Sequence, residues 1–113
     1  MKIRAIIADD EQPARERVQH LLREHPDIET VAECASGPET VAAVTAHSPD
    51  LLFLDIQMPG LDGGGVLAAL PKDKLPVVIF TTAYDQHAIK AFDAQALDYL
   101  LKPFKPARFR ESL

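Results

Sequence analysis

The sequence predicts an alternating α/β domain: one doubly wound parallel sheet of five strands, with helices on both faces. Three observations predict it. Short apolar runs recur five times along the 113 residues, and stretches of helical periodicity separate them. Strands joined by helical crossovers pair in parallel, and a parallel sheet needs cover on both faces. Finally, the runs end on polar residues, Asp9-Asp10, Asp55, Thr82 and Lys102 standing just past the first, third, fourth and fifth. In such sheets the carboxyl ends of the strands form the binding edge.

The elements follow in order. Ile3 to Ala8 is apolar on both alternating faces and stops at Asp9-Asp10-Glu11, as a strand buried on both sides does. Pro13 opens a helix, where a first-turn proline is tolerated. Val18, Leu21 and Leu22 give it an inward stripe, while Arg15, Glu16, Arg17 and Arg23 read as facing water. Pro26 ends it. Ile28 to Ala35 alternates as the second strand, and Ser36-Gly37-Pro38 is a turn. Pro38 to His47 reads as the second helix, with Val41, Ala42 and Val44 inward.

Leu51 to Leu54 is the third strand, ending at Asp55, and a loop with Pro59-Gly60 follows. Gly63-Gly64-Gly65 weakens the next helix, since each helical glycine costs roughly 1 kcal/mol relative to alanine. That helix is therefore expected late, around Val66 to Leu70. Pro76 precedes the fourth strand, Val77 to Thr81. Ala88, Ile89 and Phe92 belong to a fourth helix, Ala96 to Leu101 is the fifth strand, and Pro106 opens a last helix.

Composition bounds the function. One domain of ordinary size is implied by 113 residues, and 47% apolar content excludes a disordered tail. With 12 basic and 17 acidic residues the net charge is −5, so bulk attraction to nucleic acid phosphates is absent. A single cysteine, Cys34, allows no internal disulfide and reads as a small buried hydrophobe. The four histidines are scattered and read as solvated surface residues. No uncharged run has the length of a membrane span, and the N-terminus lacks the architecture of a signal peptide. The expectation is a cytoplasmic protein with no membrane contact.

The binding edge gathers three carboxylates, Asp9, Asp10 and Asp55. Two like charges about 5 Å apart repel by roughly 3 kcal/mol at an effective dielectric near 20. Either a carboxyl keeps its proton or a cation sits among them. An all-oxygen set without His or Cys favours a hard cation, most simply Mg²⁺. Lys102 adds a positive charge and Thr82 a hydroxyl. A carboxylate, a divalent metal, an amine and a hydroxyl are the parts needed to accept a phosphoryl group. Asp55 stands singly at a central strand end and is the nucleophile candidate, while Asp9 and Asp10 form a pair suited to holding metal.

Asp9-Asp10-Glu11, Leu54-Asp55-Ile56-Gln57-Met58-Pro59-Gly60-Leu61-Asp62-Gly63, Thr82-Ala83 and Lys102-Pro103-Phe104 together resemble the receiver domain of bacterial two-component response regulators. The resemblance covers residues 1–113 and implies a flavodoxin-like (βα)5 fold with strand order 2-1-3-4-5. It implies that Asp55 is the phosphoacceptor, that Asp9, Asp10, Asp55 and the backbone carbonyl of Gln57 serve Mg²⁺, and that Lys102 binds phosphate. Thr82 and Tyr99 match the switch hydroxyl and switch aromatic. The implied partners are a sensor histidine kinase and a second copy, docked through the face of the fourth helix, fifth strand and last helix.

A finer resemblance, through Thr82-Ala83-Tyr84-Asp85 and Ala96-Leu97-Asp98-Tyr99-Leu100-Leu101-Lys102-Pro103, is to regulators with a LytTR-type DNA-binding domain. That effector is expected beyond residue 113, and DNA would be contacted only through it. A phosphate hydrolase of the haloacid dehalogenase type is a poor alternative, because it needs an acid two residues after the nucleophile and position 57 is Gln. A phosphate-independent scaffold is opposed by the intact set Asp9, Asp10, Asp55, Thr82 and Lys102. The domain is therefore expected to be a phosphoacceptor and not a multiple-turnover enzyme.

Overall fold

The computed structural model describes residues 2–56, 58–60, 63–70, 75–82, 96–101 and 106–112. Strands β1 (Ile3–Ala8), β2 (Ile28–Cys34), β3 (Leu51–Asp55), β4 (Val77–Thr82) and β5 (Ala96–Leu101) form one sheet in the order β2-β1-β3-β4-β5. All four pairings are parallel. The order expected from the sequence is therefore observed. Helices α1 (Gln12–Leu22), α2 (Gly37–His47) and α3 (Gly63–Ala69) and a C-terminal helix (Pro106–Ser112) accompany it. The fourth helix expected around Ala88, Ile89 and Phe92 lies outside the described residues.

Strand alternation divides the core between the two faces. Ile6, Ala8, Leu52, Leu54, Val78 and Phe80 form one cluster with Val44 of α2 and Val66 of α3. Ala5, Ile7, Leu51, Phe53 and Ile79 form the other, with Val18, Leu21 and Leu22 of α1 and Phe109 of the C-terminal helix. Phe109 stacks on Phe53, ring centroids 5.5 Å apart and planes 16° apart. Such pairs add about 0.5–1.5 kcal/mol beyond the area they bury.

At the amino edge, Asp50 joins three strands. Its N–H donates to Arg4 O at 2.8 Å, its Oδ2 accepts from Arg4 N at 2.9 Å, and its carbonyl accepts from Val77 N at 3.0 Å. The Arg4 guanidinium reaches His47 O, tying the end of α2 to β1. Ser36 caps the start of α2: its Oγ accepts from Glu39 N, and Glu39 Oε2 reaches back to accept from Ala35 N, one residue before the cap. Ser48, at φ 47°, closes the helix with its N–H on Val44 O.

Four expectations are corrected. In α2, Val41 and Val44 face the core as expected, joined by buried Thr40, whereas Ala42 is exposed. Thr40 is buried without penalty because its hydroxyl donates to Ser36 O at 2.8 Å. Helix α3 begins at Gly63 and not near Val66. First-turn residues make few helical hydrogen bonds of their own, and burial of Val66 and Leu70 carries the helix. His25 and His47 are half-buried, not solvated. His25 packs against Phe109 at a centroid distance of 6.2 Å. Arg15 does not face water, for reasons that belong to the site.

Candidate functional site

Sheet order places the two central strand ends side by side. β1 and β3 are neighbours, with Ala8 opposite Leu54 in the last described rung. The next residue of each chain is Asp9 and Asp55. Both continue the odd-numbered face that carries Ile7 and Phe53, so both carboxylates stand on the α1 side. Carboxylate oxygens of Asp9, Asp10 and Asp55 lie within 4.8 Å of one another. The central expectation from the sequence, that 9, 10 and 55 meet, is observed.

The backbone around the trio is held from several elements. Asp9 N donates to Cys34 O at 2.9 Å, extending the β1–β2 ladder by one rung. Asp9 Oδ1 accepts from Glu11 N at 3.0 Å, an Asx turn that starts α1. Arg15 Nη1 donates to Asp9 O at 2.8 Å. Beyond Asp55, Ile56 N donates to Thr81 O at 3.3 Å. Gly37 N donates to Pro59 O at 3.0 Å, docking the β3–α3 loop on the start of α2. Gly60 has φ +84°, and a Cβ there would lie 2.6 Å from Pro38 Cδ, so only glycine fits this contact.

Asp9 and Asp55 are 3% and 5% exposed, whereas Asp10 is exposed. Two buried anions and one wet anion at this spacing suit a hard cation that keeps part of its water. Among the described residues the cluster contains only carboxylates, with no imidazole or thiolate to recruit a softer metal. Cys34 is near in space, since its carbonyl accepts from Asp9 N, but it is buried, and burial pushes its thiol above the ordinary value of 9.0.

Other expected site residues fare differently. Thr82 ends β4 and pairs with Leu101, which puts its backbone at the same edge. Tyr99 pairs with Phe80 within β5. The side chains of Thr82 and Tyr99, and the whole of Gln57 and Lys102, lie outside the described residues. Sequence reasoning missed Arg15. A signal existed, since an arginine in the first turns of α1 opposes the helix dipole and so invites a compensating partner.

A doubly wound α/β sheet with a cation-ready acidic hollow at its carboxyl edge is the class that fold and site define. Residues 5–113 match the response regulator receiver domain model, and the chain belongs to that family. It is 46% identical over 111 residues to the transcriptional regulatory protein BtsR of Escherichia coli K12, covering 98% of this chain and 46% of that protein. The receiver domain of AraT from Geobacillus stearothermophilus superposes with a TM-score of 0.85 at 37% identity, covering 98% of this chain and 89% of that one. The signal receiver domain of the putative response regulator NarL from Mycobacterium tuberculosis gives a TM-score of 0.86 at 32% identity, covering 98% and 92%. The chain spans about half the length of the curated relatives it matches. It is thus a receiver domain of the two-component type, related to transcriptional regulators. No helix among the described residues is long and apolar enough to cross a membrane.

Proposed function

We propose that this domain is a phosphorylation-controlled switch whose phosphoacceptor is Asp55. The observation that carries the reading is the convergence of Asp9, Asp10 and Asp55. A carboxylate oxygen of Asp55 attacks phosphorus of a phosphohistidine on a sensor kinase. The P–N bond breaks as the O–P bond forms, and the departing imidazole takes up a proton. Asp9, Asp10, Asp55 and the carbonyl of Gln57 would hold Mg²⁺, which when bound neutralises charge on the transferring oxygens. Lys102 supplies a further cation to the phosphoryl group.

The new group brings extra charge and acceptor oxygens. Thr82 donates its hydroxyl to it, and Tyr99 follows inward. The face of the fourth helix, β5 and the C-terminal helix then favours a second copy. Moving a two-state equilibrium from 1:99 to 99:1 takes about 5.5 kcal/mol, and two or three charge-assisted hydrogen bonds are of that order. Asp55 turns over slowly as an acceptor and does not serve as a multiple-turnover catalyst. The setting is cytoplasmic. DNA is reached through a further, C-terminal domain, and the LytTR-type assignment of that domain rests on the motifs around Thr82 and Lys102.

Incubation with Mg²⁺ and acetyl phosphate tests this by intact mass. The wild-type chain gains one phosphoryl group and Asp55→Asn gains none. An unmodified wild type, or an equally modified Asp55→Asn, overturns the reading.

A further inference from the structure

We infer that Arg15 is a positioning residue for the acidic trio, holding Asp9 and Asp10 in a cation-binding arrangement through the Asp9 carbonyl. The inference rests on reading the trio as a Mg²⁺ site. Arg15 leaves α1 and crosses over the end of β1. One arm of its guanidinium, Nη1, donates to Asp9 O at 2.8 Å. Its Nε lies 3.4 Å from Glu33 Oε1 on β2, and the side chain is only 18% exposed. Glu33 is held in turn, because its other oxygen, Oε2, accepts from Gln19 Nε2 at 3.2 Å. Gln19 Oε1 accepts from Thr30 Oγ1 at 3.1 Å. A polar chain thus runs from β2 through α1 to the peptide joining Asp9 and Asp10.

That peptide is where position matters. Asp9 is anchored through its N–H to Cys34 O, but Asp10 follows it outside the ladder and is exposed. Fixing the Asp9 carbonyl fixes the plane of the Asp9–Asp10 peptide, and with it the direction in which the Asp10 side chain leaves. A planar fork suits this task, since it bonds a carbonyl and a carboxylate at once. Groups that orient metal ligands without touching the metal typically set metal affinity by tenfold or more.

Charge alone predicts the opposite sign, which makes the idea testable. Arg15 is a cation beside a cation site, so removing it should tighten Mg²⁺ binding if it acts only through its field. If it positions, removing it should weaken binding. Arg15 lines an open groove with Gln12, Glu16, Glu33, Ala35 and Glu39 and belongs to neither apolar cluster, so its variants keep the core intact.

The experiment is calorimetric titration of Mg²⁺ into wild type, Arg15→Gln, Arg15→Lys, Glu33→Gln and the Arg15→Gln/Glu33→Gln pair, with urea midpoints measured alongside. Expected are about tenfold weaker binding for Arg15→Gln and weaker binding for Arg15→Lys, which keeps the charge but loses the fork. Glu33→Gln should add nothing in the Arg15→Gln background, as two members of one chain behave. Wild-type affinity retained or tightened in Arg15→Gln overturns the positioning role while leaving the Mg²⁺ reading intact. A wild type that takes up no Mg²⁺ overturns both.

Discussion

Replacing Asp55 with Asn tests the electrostatics of the site without any phosphodonor. The carboxylate oxygens of Asp9 and Asp55 lie within 4.8 Å, and both residues are buried. At an effective dielectric near 20 that separation corresponds to about 3.5 kcal/mol of repulsion. Asp10 is exposed, so solvent and salt screen its share. The amide keeps the shape of the carboxyl and removes the charge, while giving up charge-assisted hydrogen bonding of about 1–2 kcal/mol. The metal-free variant should therefore be more stable than wild type by roughly 2 kcal/mol. For a domain of this length that is a rise in melting temperature of about 8 °C. The assay is thermal unfolding in chelator and again in Mg²⁺. Wild type should recover in Mg²⁺, by about 2.7 kcal/mol at a hundredfold excess over its dissociation constant, and Asp55→Asn should gain less. Equal or lower stability of Asp55→Asn in chelator refutes the reasoning.

Other perturbations read the scaffold. Phe53→Ala opens a cavity under β3 and strips Phe109 of its stacking partner; urea unfolding should show a loss of about 3–5 kcal/mol. Gly60→Ala should destabilise by about 1–2 kcal/mol, and Pro38→Ala in that background should recover the steric share but not the backbone share. Burial raises the Cys34 thiol above 9.0 in the native chain, so the unfolded thiol ionises first. The unfolded state then binds fewer protons, and stability should fall as pH rises past 9.0 in wild type but not in Cys34→Ala, read by urea midpoints across pH.

Much of this was legible because it depends on periodicity. The runs at Ile3–Ala8 and Leu51–Asp55 are apolar on both faces, which marks central parallel strands, and adjacent central strands must present Asp9 and Asp55 at one edge. What escaped depends on side-chain reach and local hydrogen bonding. Thr40 looks polar yet is fully buried, because its own helix offers a carbonyl to its hydroxyl. Arg15 sits where helical periodicity points outward, but its long stem lets the guanidinium fold back over β1. Gly63 starts α3 because the burial of Val66 and Leu70 outweighs helix propensity, and hydrophobic content alone does not reveal such a balance. His25 packs on Phe109, a residue 84 positions away in the chain, at a distance no local pattern encodes.

Positions 9 and 55 continue two neighbouring strands at the same level, directly after the paired Ala8 and Leu54. The main chain therefore acts as a ruler: interstrand hydrogen bonding sets a gap of about 4.8 Å in any sheet, whatever residues fill the layers above and below. Repacking the interior will change how firmly the ruler is held but not its length. A different preference in ion size would have to come from new side chains at 9, 10 or 55, or from changes in the groups that aim them.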